Sequence, residues 1–281
     1  MIRRIVDSHI HFWQPQLLRY EWLAELPPIN RPYLPADLAR AATAVPLEKI
    51  VFVQADCVPA DGLREVAWVS ELATAEPRIQ AIVAFAPLEQ EDCASYLAQL
   101  RQYPLVKGVR RLIQGESVAF ASQPDFVRGL QKAADFDYTF DICIRHEQLE
   151  AVVEMVRLCP KVRFVLDHFG KPAIRAGLLE PWATHLRQLA DLPNVCCKLS
   201  GLVTEAEWQT WTPADLQPYV DHALAVFGPE RLMFGGDWPV SELATDYAGW
   251  VQAAETAVSH LTEAEKDRLF YANANAFYRL D

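Results

Sequence analysis

The chain has 281 residues, 51% of them hydrophobic, with 26 Lys+Arg against 37 Asp+Glu for a formal charge of −11. That length suits one large α/β barrel or two smaller domains, and the acidic balance offers no basic face to a nucleic-acid backbone. No apolar run reaches the roughly 18 residues of a membrane span, and the opening Met-Ile-Arg-Arg-Ile-Val-Asp reads as lacking a signal-peptide core.

Eight short apolar or β-branched runs alternate with longer stretches of helical period. The first covers residues 4–11 and ends in Asp7-Ser8-His9-Ile10-His11. Residues 13–35, rich in aromatics and proline, read as an ordered loop over the mouth of the fold, and Pro35 suits a first helical turn. A second strand is expected over 49–56, with Asp61 capping a helix over 62–75. Strands over 79–87 and 106–113 flank a helix over 90–103, and helices over 125–134 and 147–158 flank a strand over 138–145. The sixth strand, 162–168, runs into Phe169-Gly170-Lys171-Pro172; a helix over 178–192 is stopped by Pro193-Asn194 before a seventh strand over 195–200. Pro213 opens a helix over 214–227, the eighth strand spans 232–237, and residues 247–277 close the chain as one helical region.

Strands apolar on both faces, alternating with helices, indicate a parallel sheet covered on both sides. Eight such units predict a single-domain α/β fold, a (β/α)₈ TIM barrel over residues 1–281. A doubly wound open sheet is disfavoured, because no Gly-x-Gly-x-x-Gly or phosphate-binding loop follows an early strand. The six cysteines (Cys57, Cys93, Cys143, Cys159, Cys196, Cys197) lack C-x-x-C spacing and read as small buried hydrophobes in a reducing cytoplasm.

In such a barrel the loops after the strands build the mouth, so strand ends are where chemistry is expected. Side chains alternate along a strand, which puts His9 and His11 on one face. A histidine pair at this spacing is by itself as consistent with packing; its place at a strand end favours function. His168 sits beside a Gly-Pro turn, where Asp167 as a turn cap and His168 as a packing residue are the plain alternative. Asp237 follows Gly235-Gly236, which permit close backbone approach. Arg110 and Arg111 cannot share a face, and either could instead make a barrel salt bridge. Lys171 reads as a hydroxyl or carbonyl donor, or as a solvated turn residue. His146 follows the fifth strand near the mouth, and Lys198 and Ser200 end the seventh. Trp13, Trp22, Tyr20 and Trp238 suit sugar C–H faces or loop cores equally. His185, His222 and His260 fall on outer helices, and a mid-strand Asp141 needs a partner that the sequence does not name.

Four segments, in order and each on a barrel strand, resemble the amidohydrolase superfamily over essentially the whole chain. They are Asp7-Ser8-His9-Ile10-His11-Phe12-Trp13, Lys107-Gly108-Val109-Arg110-Arg111, Asp167-His168-Phe169-Gly170-Lys171-Pro172 and Gly235-Gly236-Asp237-Trp238-Pro239. The resemblance is narrower to the sugar-lactonase branch, L-fuconolactonase-like and related to 2-pyrone-4,6-dicarboxylate lactonase. It implies a water activated by Asp237, with His9, His11 and His168 around the substrate carbonyl and Arg110 on the substrate, Arg111 being the second choice. Trp13, Trp238, Lys171 and His146 are the further candidates for substrate contact. His9, His11, His168 and Asp237 are also the residues expected to hold a single divalent ion, Zn²⁺ first, since many superfamily relatives bind metal. Members of the lactonase branch also work without metal, so both remain open. Lys107 at the start of its strand and Arg110-Arg111-Leu112-Ile113 at its end argue against a dinuclear centre. The expected substrate is a neutral polyhydroxylated 1,4- or 1,5-lactone, opened to an aldonic acid; a metal-dependent decarboxylase of the same superfamily is the alternative. The outer helices leave room for a homo-oligomer.

Overall fold

A computed structural model describes residues 2–280. Eight strands run in chain order around one sheet: β1 (Ile5–Ile10), β2 (Leu47–Val53), β3 (Ile79–Phe85), β4 (Val106–Arg110), β5 (Thr139–Ile142), β6 (Phe164–Leu166), β7 (Val195–Leu199) and β8 (Leu232–Phe234). Each is parallel to the next. The circuit closes where Asp237 N donates to His9 O (2.8 Å) and His11 N to Trp238 O (2.8 Å), giving a nearly closed (β/α)₈ barrel.

The period-two pattern explains the two-sided burial. Val6, Val51, Val53, Ala81, Val83, Val165 and Met233 pack with the C-terminal Tyr278 and Leu280 in one cluster. Their strand neighbours, among them Ile5, Ile50, Phe52, Ile82, Val109 and Phe164, pack in a second cluster with the helices. Seven helices bear out the expected alternation: α1 (Pro35–Ala41), α2 (Gly62–Ala75), α3 (Cys93–Leu100), α4 (Pro124–Asp135), α5 (Leu149–Leu158), α6 (Trp182–Ala190) and, after the short α7 (Leu202–Glu205), α8 (Pro213–Phe227). Pro35 and Pro213 both open their helices. Among the described residues no helix is long and apolar enough to cross a membrane.

Three expectations are corrected. The closing region is not one helix: α9 (Tyr247–Ala257) stops, Thr262 caps a new start at α10 (Glu263–Asp267), and a wide turn leads into α11 (Asn273–Phe277). Asp61 does not cap α2 with its side chain; it accepts from Arg19 and Arg64 instead. Strands six and eight end earlier than 168 and 237, because the chain leaves the ladder at Leu166 and Phe234. Beyond those points His168 (φ 54°) and Asp237 (φ 51°) take left-handed backbone.

Candidate active site

The site is built on these two exits. Asp237 Oδ1 lies 3.8 Å from His9 Nε2, 3.6 Å from His11 Nε2 and 3.9 Å from His168 Nε2. One carboxylate oxygen thus faces three imidazoles across a gap too wide for direct hydrogen bonds. All four residues are buried. Left-handed backbone at a non-glycine costs of order 1–3 kcal/mol and persists where the surroundings over-determine it. Gly201 (φ 61°) is part of that determination, since a Cβ there would lie 2.6 Å from both Asp237 Oδ2 and His168 Nδ1. Asp7 supplies another part by accepting from His9 N (2.9 Å), Gly236 N (2.8 Å) and the Tyr247 hydroxyl (2.8 Å), tying β1 to the exit from β8. Burial pushes the Asp7 carboxyl up to about 7 against those three donors.

Beneath the gap lies a fully buried charged network. Asp167 pairs with Lys198 (2.9 Å), Arg110 (3.1 Å) and His9 Nδ1 (3.3 Å). Lys198 also donates to Asp141 (2.6 Å), which takes the Tyr278 hydroxyl at 2.7 Å. Asp141 has found its partners. Burial opposes ionisation of Asp167, yet Lys198, His9 and Arg110 hold it well below the usual carboxylate range. For Asp237 burial is likewise outweighed, here by His168, His11 and His9, and the carboxylate is held low. Burial lowers His9 well below the ordinary imidazole value and His168 to about 4. Near neutrality these two rings are neutral and Asp237 is ionised.

His11 Nδ1 sits 2.7 Å from Val53 O. Only an N–H faces a carbonyl usefully, so Nδ1 carries a proton and Nε2 is the atom turned toward Asp237. At 3.6 Å the two atoms are too far apart for a good direct bond, so a third group between them has to satisfy both. A water satisfies this, and so does a divalent ion. The donor atoms of His9, His168 and Asp237 lie within 4.8 Å of one another, a span that fits a single ion. His168 Nδ1 is 2.9 Å from Ser200 Oγ, a hydroxyl able to donate or accept, so that ring suits either occupant.

The gap opens into a cleft of about 150 Å³, lined among others by His11, Arg110, His168, Lys171 and Asp237. That is small against the roughly 300–1,000 Å³ of sites for drug-sized ligands, and suits one compact ring. Lys171 donates to Gln114 Oε1 at 2.6 Å. Trp22, from the loop over the mouth, completes one wall with its indole donating to Ala55 O.

Four of the six residues expected to contact substrate fall outside this cleft. Arg111 points to the other face of β4, bound to Glu89 (2.9 Å) and Glu116 (2.6 Å), as strand alternation requires once Arg110 points in. Trp13 is fully buried behind His11, its indole donating to Arg31 O, and Trp238 is fully buried between Phe12 and Tyr33. Both fill loop cores. His146 turns toward Glu147 (3.3 Å) at the start of a short turn. Sequence reasoning passed over Asp56, Gln114, Cys143 and Thr204, which line the cleft, and gave Asp167 only a capping role. Charged residues at strand ends were the available signal for Asp56 and Asp167.

Residues 6–280 match the amidohydrolase family. An L-fucono-1,5-lactonase of Burkholderia multivorans is 38% identical over 98% of this chain and 96% of its own. Another, from Burkholderia ambifaria, is 31% identical over 98% and 96%. A solved amidohydrolase structure from Burkholderia multivorans with bound zinc superposes with a TM-score of 0.90 at 36% identity, covering 99% of this chain and 100% of that one. The barrel fold agrees with these matches, and the chain belongs to the amidohydrolase family.

Proposed function

We propose that this hydrolase opens a neutral sugar lactone of the L-fucono-1,5-lactone kind to its aldonic acid. The observation that carries the reading is one ionised carboxylate oxygen shared by three imidazoles at the base of a small cleft. Support comes from the lactonase relatives, which match nearly end to end.

Ester hydrolysis needs a base at the attacking water and donors where negative charge develops. A water between Asp237 and His11 gives its proton to Asp237 while its oxygen bonds to the ring carbonyl carbon. The carbonyl oxygen becomes an oxyanion, facing His168, whose Nε2–H is free to donate when the Ser200 hydroxyl donates to Nδ1, and the Arg110 side. Collapse of the tetrahedral centre breaks the ring C–O bond, and the departing alkoxide takes the proton back from Asp237. Arg110 is held by Asp167 and by Gln54 O, so it lends charge from a fixed position. A divalent ion in the gap would be held by His9, His168 and Asp237, and would supply Lewis-acid polarisation and a more acidic water.

The test is a lactone panel read by proton release, covering L-fucono-, L-rhamnono-, D-arabino- and L-galactonolactones, run with and without chelator. Turnover of at least one sugar lactone above the spontaneous rate is expected. Failure on all of them, with and without added Zn²⁺, overturns the reading.

A further inference from the structure

The chain segment leaving β2 is pinned with unusual thoroughness for a residue with nothing to hold. Asp56 N donates to the Gln54 side-chain oxygen at 2.6 Å. Ala55 N donates to Glu65 Oε1 (3.1 Å), and Ala55 O accepts the Trp22 indole N–H (2.9 Å). Gln54 O accepts from Arg110 Nη2. These four bonds fix three consecutive residues and hold Asp56 in left-handed backbone (φ 57°), a conformation that disfavours any residue with a Cβ. The Asp56 carboxylate, exposed at the mouth, has no hydrogen bond or ion pair among the described residues, and it lines the cleft beside Arg110 and His11. A strained turn braced from four sides around an idle carboxylate is the arrangement of a group kept ready for a ligand.

We infer that Asp56 is a specificity residue, accepting hydrogen bonds from the ring hydroxyls of the substrate. The inference rests on the lactonase reading for its substrate and on the geometry of the β2 exit for the residue. A carboxylate offers two acceptor oxygens, which suits neighbouring hydroxyls and gains nothing from an unsubstituted ring. It also repels carboxylated lactones, so it selects against dicarboxylate substrates without contacting them. Desolvation at the cleft wall raises its carboxyl above the ordinary value, against the opposing pull of Arg110, Arg111 and His11, while the residue itself stays exposed at the mouth. Gln114, Lys171 and Thr204 elsewhere on the cleft wall add neutral and donating groups of the sort a polyol needs.

The experiment compares kcat/KM for L-fucono-1,5-lactone with that for δ-valerolactone, the same ring without hydroxyls. In Asp56→Ala the ratio of the two falls about 10–100-fold, the worth of hydrogen bonds to a charged group. Asp56→Asn, whose amide oxygen still accepts, keeps more of the ratio than Asp56→Ala. Equal losses on both lactones would place Asp56 in the chemistry or the fold and overturn the inference, as would an unchanged ratio. A calorimetric titration with L-fucose, which has the hydroxyls but no lactone carbonyl, is the second arm: its affinity drops in Asp56→Ala, and equal affinity in both proteins overturns the inference. Should the wild type open neither these two nor any sugar lactone of the panel above, with or without Zn²⁺, the lactonase reading falls, and the L-fucose arm judges Asp56 alone.

Discussion

Asp237, as the proposed base, combines two properties that pull against each other. Surrounded by three imidazoles it is ionised at any working pH, and for the same reason it is a weak proton acceptor. Its usefulness in the proposed reaction therefore lies in position, at the gap it shares with His9, His11 and His168. Asp237→Asn keeps the shape and removes the acceptor. Turnover is expected to fall about 10²–10⁴-fold with a smaller change in KM. A loss under about tenfold in steady-state kinetics would remove Asp237 from that role. The imidazoles set the pH profile. Burial holds His168 at about 4 and His9 well below the ordinary imidazole value, so both stay neutral as pH falls through the range where an exposed histidine titrates. Activity depending on their neutral forms is kept down to about pH 5 and lost below it. The check is log kcat/KM between pH 3.5 and 8; an ascending limb centred near 6.5 would contradict the assignment.

At the scale of elements, the strand exits and the buried network carry the site. Gly201 follows β7 at a point where an added Cβ would collide with both Asp237 and His168. Gly201→Ala forces left-handed backbone on a residue with a Cβ and pushes apart the two groups that must cooperate. Activity is expected to fall at least 100-fold, in keeping with the cost of a displacement near 1 Å, while circular dichroism stays native. Retained activity would show that the exits tolerate movement. Lys198 joins β7 to β5 through Asp141 and to the β6 exit through Asp167. Lys198→Met strands Asp141 without a cation and should cost about 3–5 kcal/mol in urea unfolding; a loss below 1 would mean that the network relaxes freely. The strands themselves were legible, because alternation and two-sided apolarity leave a plain record in sequence. His9, His11, His168 and Asp237 were legible as strand-end residues too. Their geometry was not, since left-handed φ at His168 and Asp237 has no signature in a non-glycine residue. Arg111 and Trp238 show the same limit from the other side. Being next to a site residue in sequence puts a side chain on the opposite face of a strand, and an aromatic on a mouth loop fills a loop core as readily as it meets a ligand.

Over the whole molecule, buried acids outside the reaction govern stability against pH. Glu65, fully buried on α2, accepts from Tyr20 and Ala55 N while its second oxygen has no partner, and burial pushes its carboxyl up to about 8. Asp7 is pushed up to about 7 in the same way. An acid whose folded value is raised keeps a proton that the unfolded chain has released, so its contribution is complete below its unfolded value near 4 and is lost as pH rises through the folded value. His9 and His168 act oppositely: lowered in the fold, they reduce stability as pH falls below about 6.5 toward 4. The two trends offset each other between about pH 4.5 and 6.5, and above that range only the acids remain. The melting temperature should therefore hold nearly level through mildly acid pH and decline from about 6.5 to 8.5. Glu65→Gln keeps an acceptor for Ala55 N and Tyr20 and removes the ionisation. It should leave the melting temperature unchanged at pH 5 and raise it at pH 8.5, flattening part of the decline, with Asp7 responsible for what is left. A Glu65→Gln profile parallel to the wild type across that range would show that Glu65 is not what makes the fold sensitive to alkali.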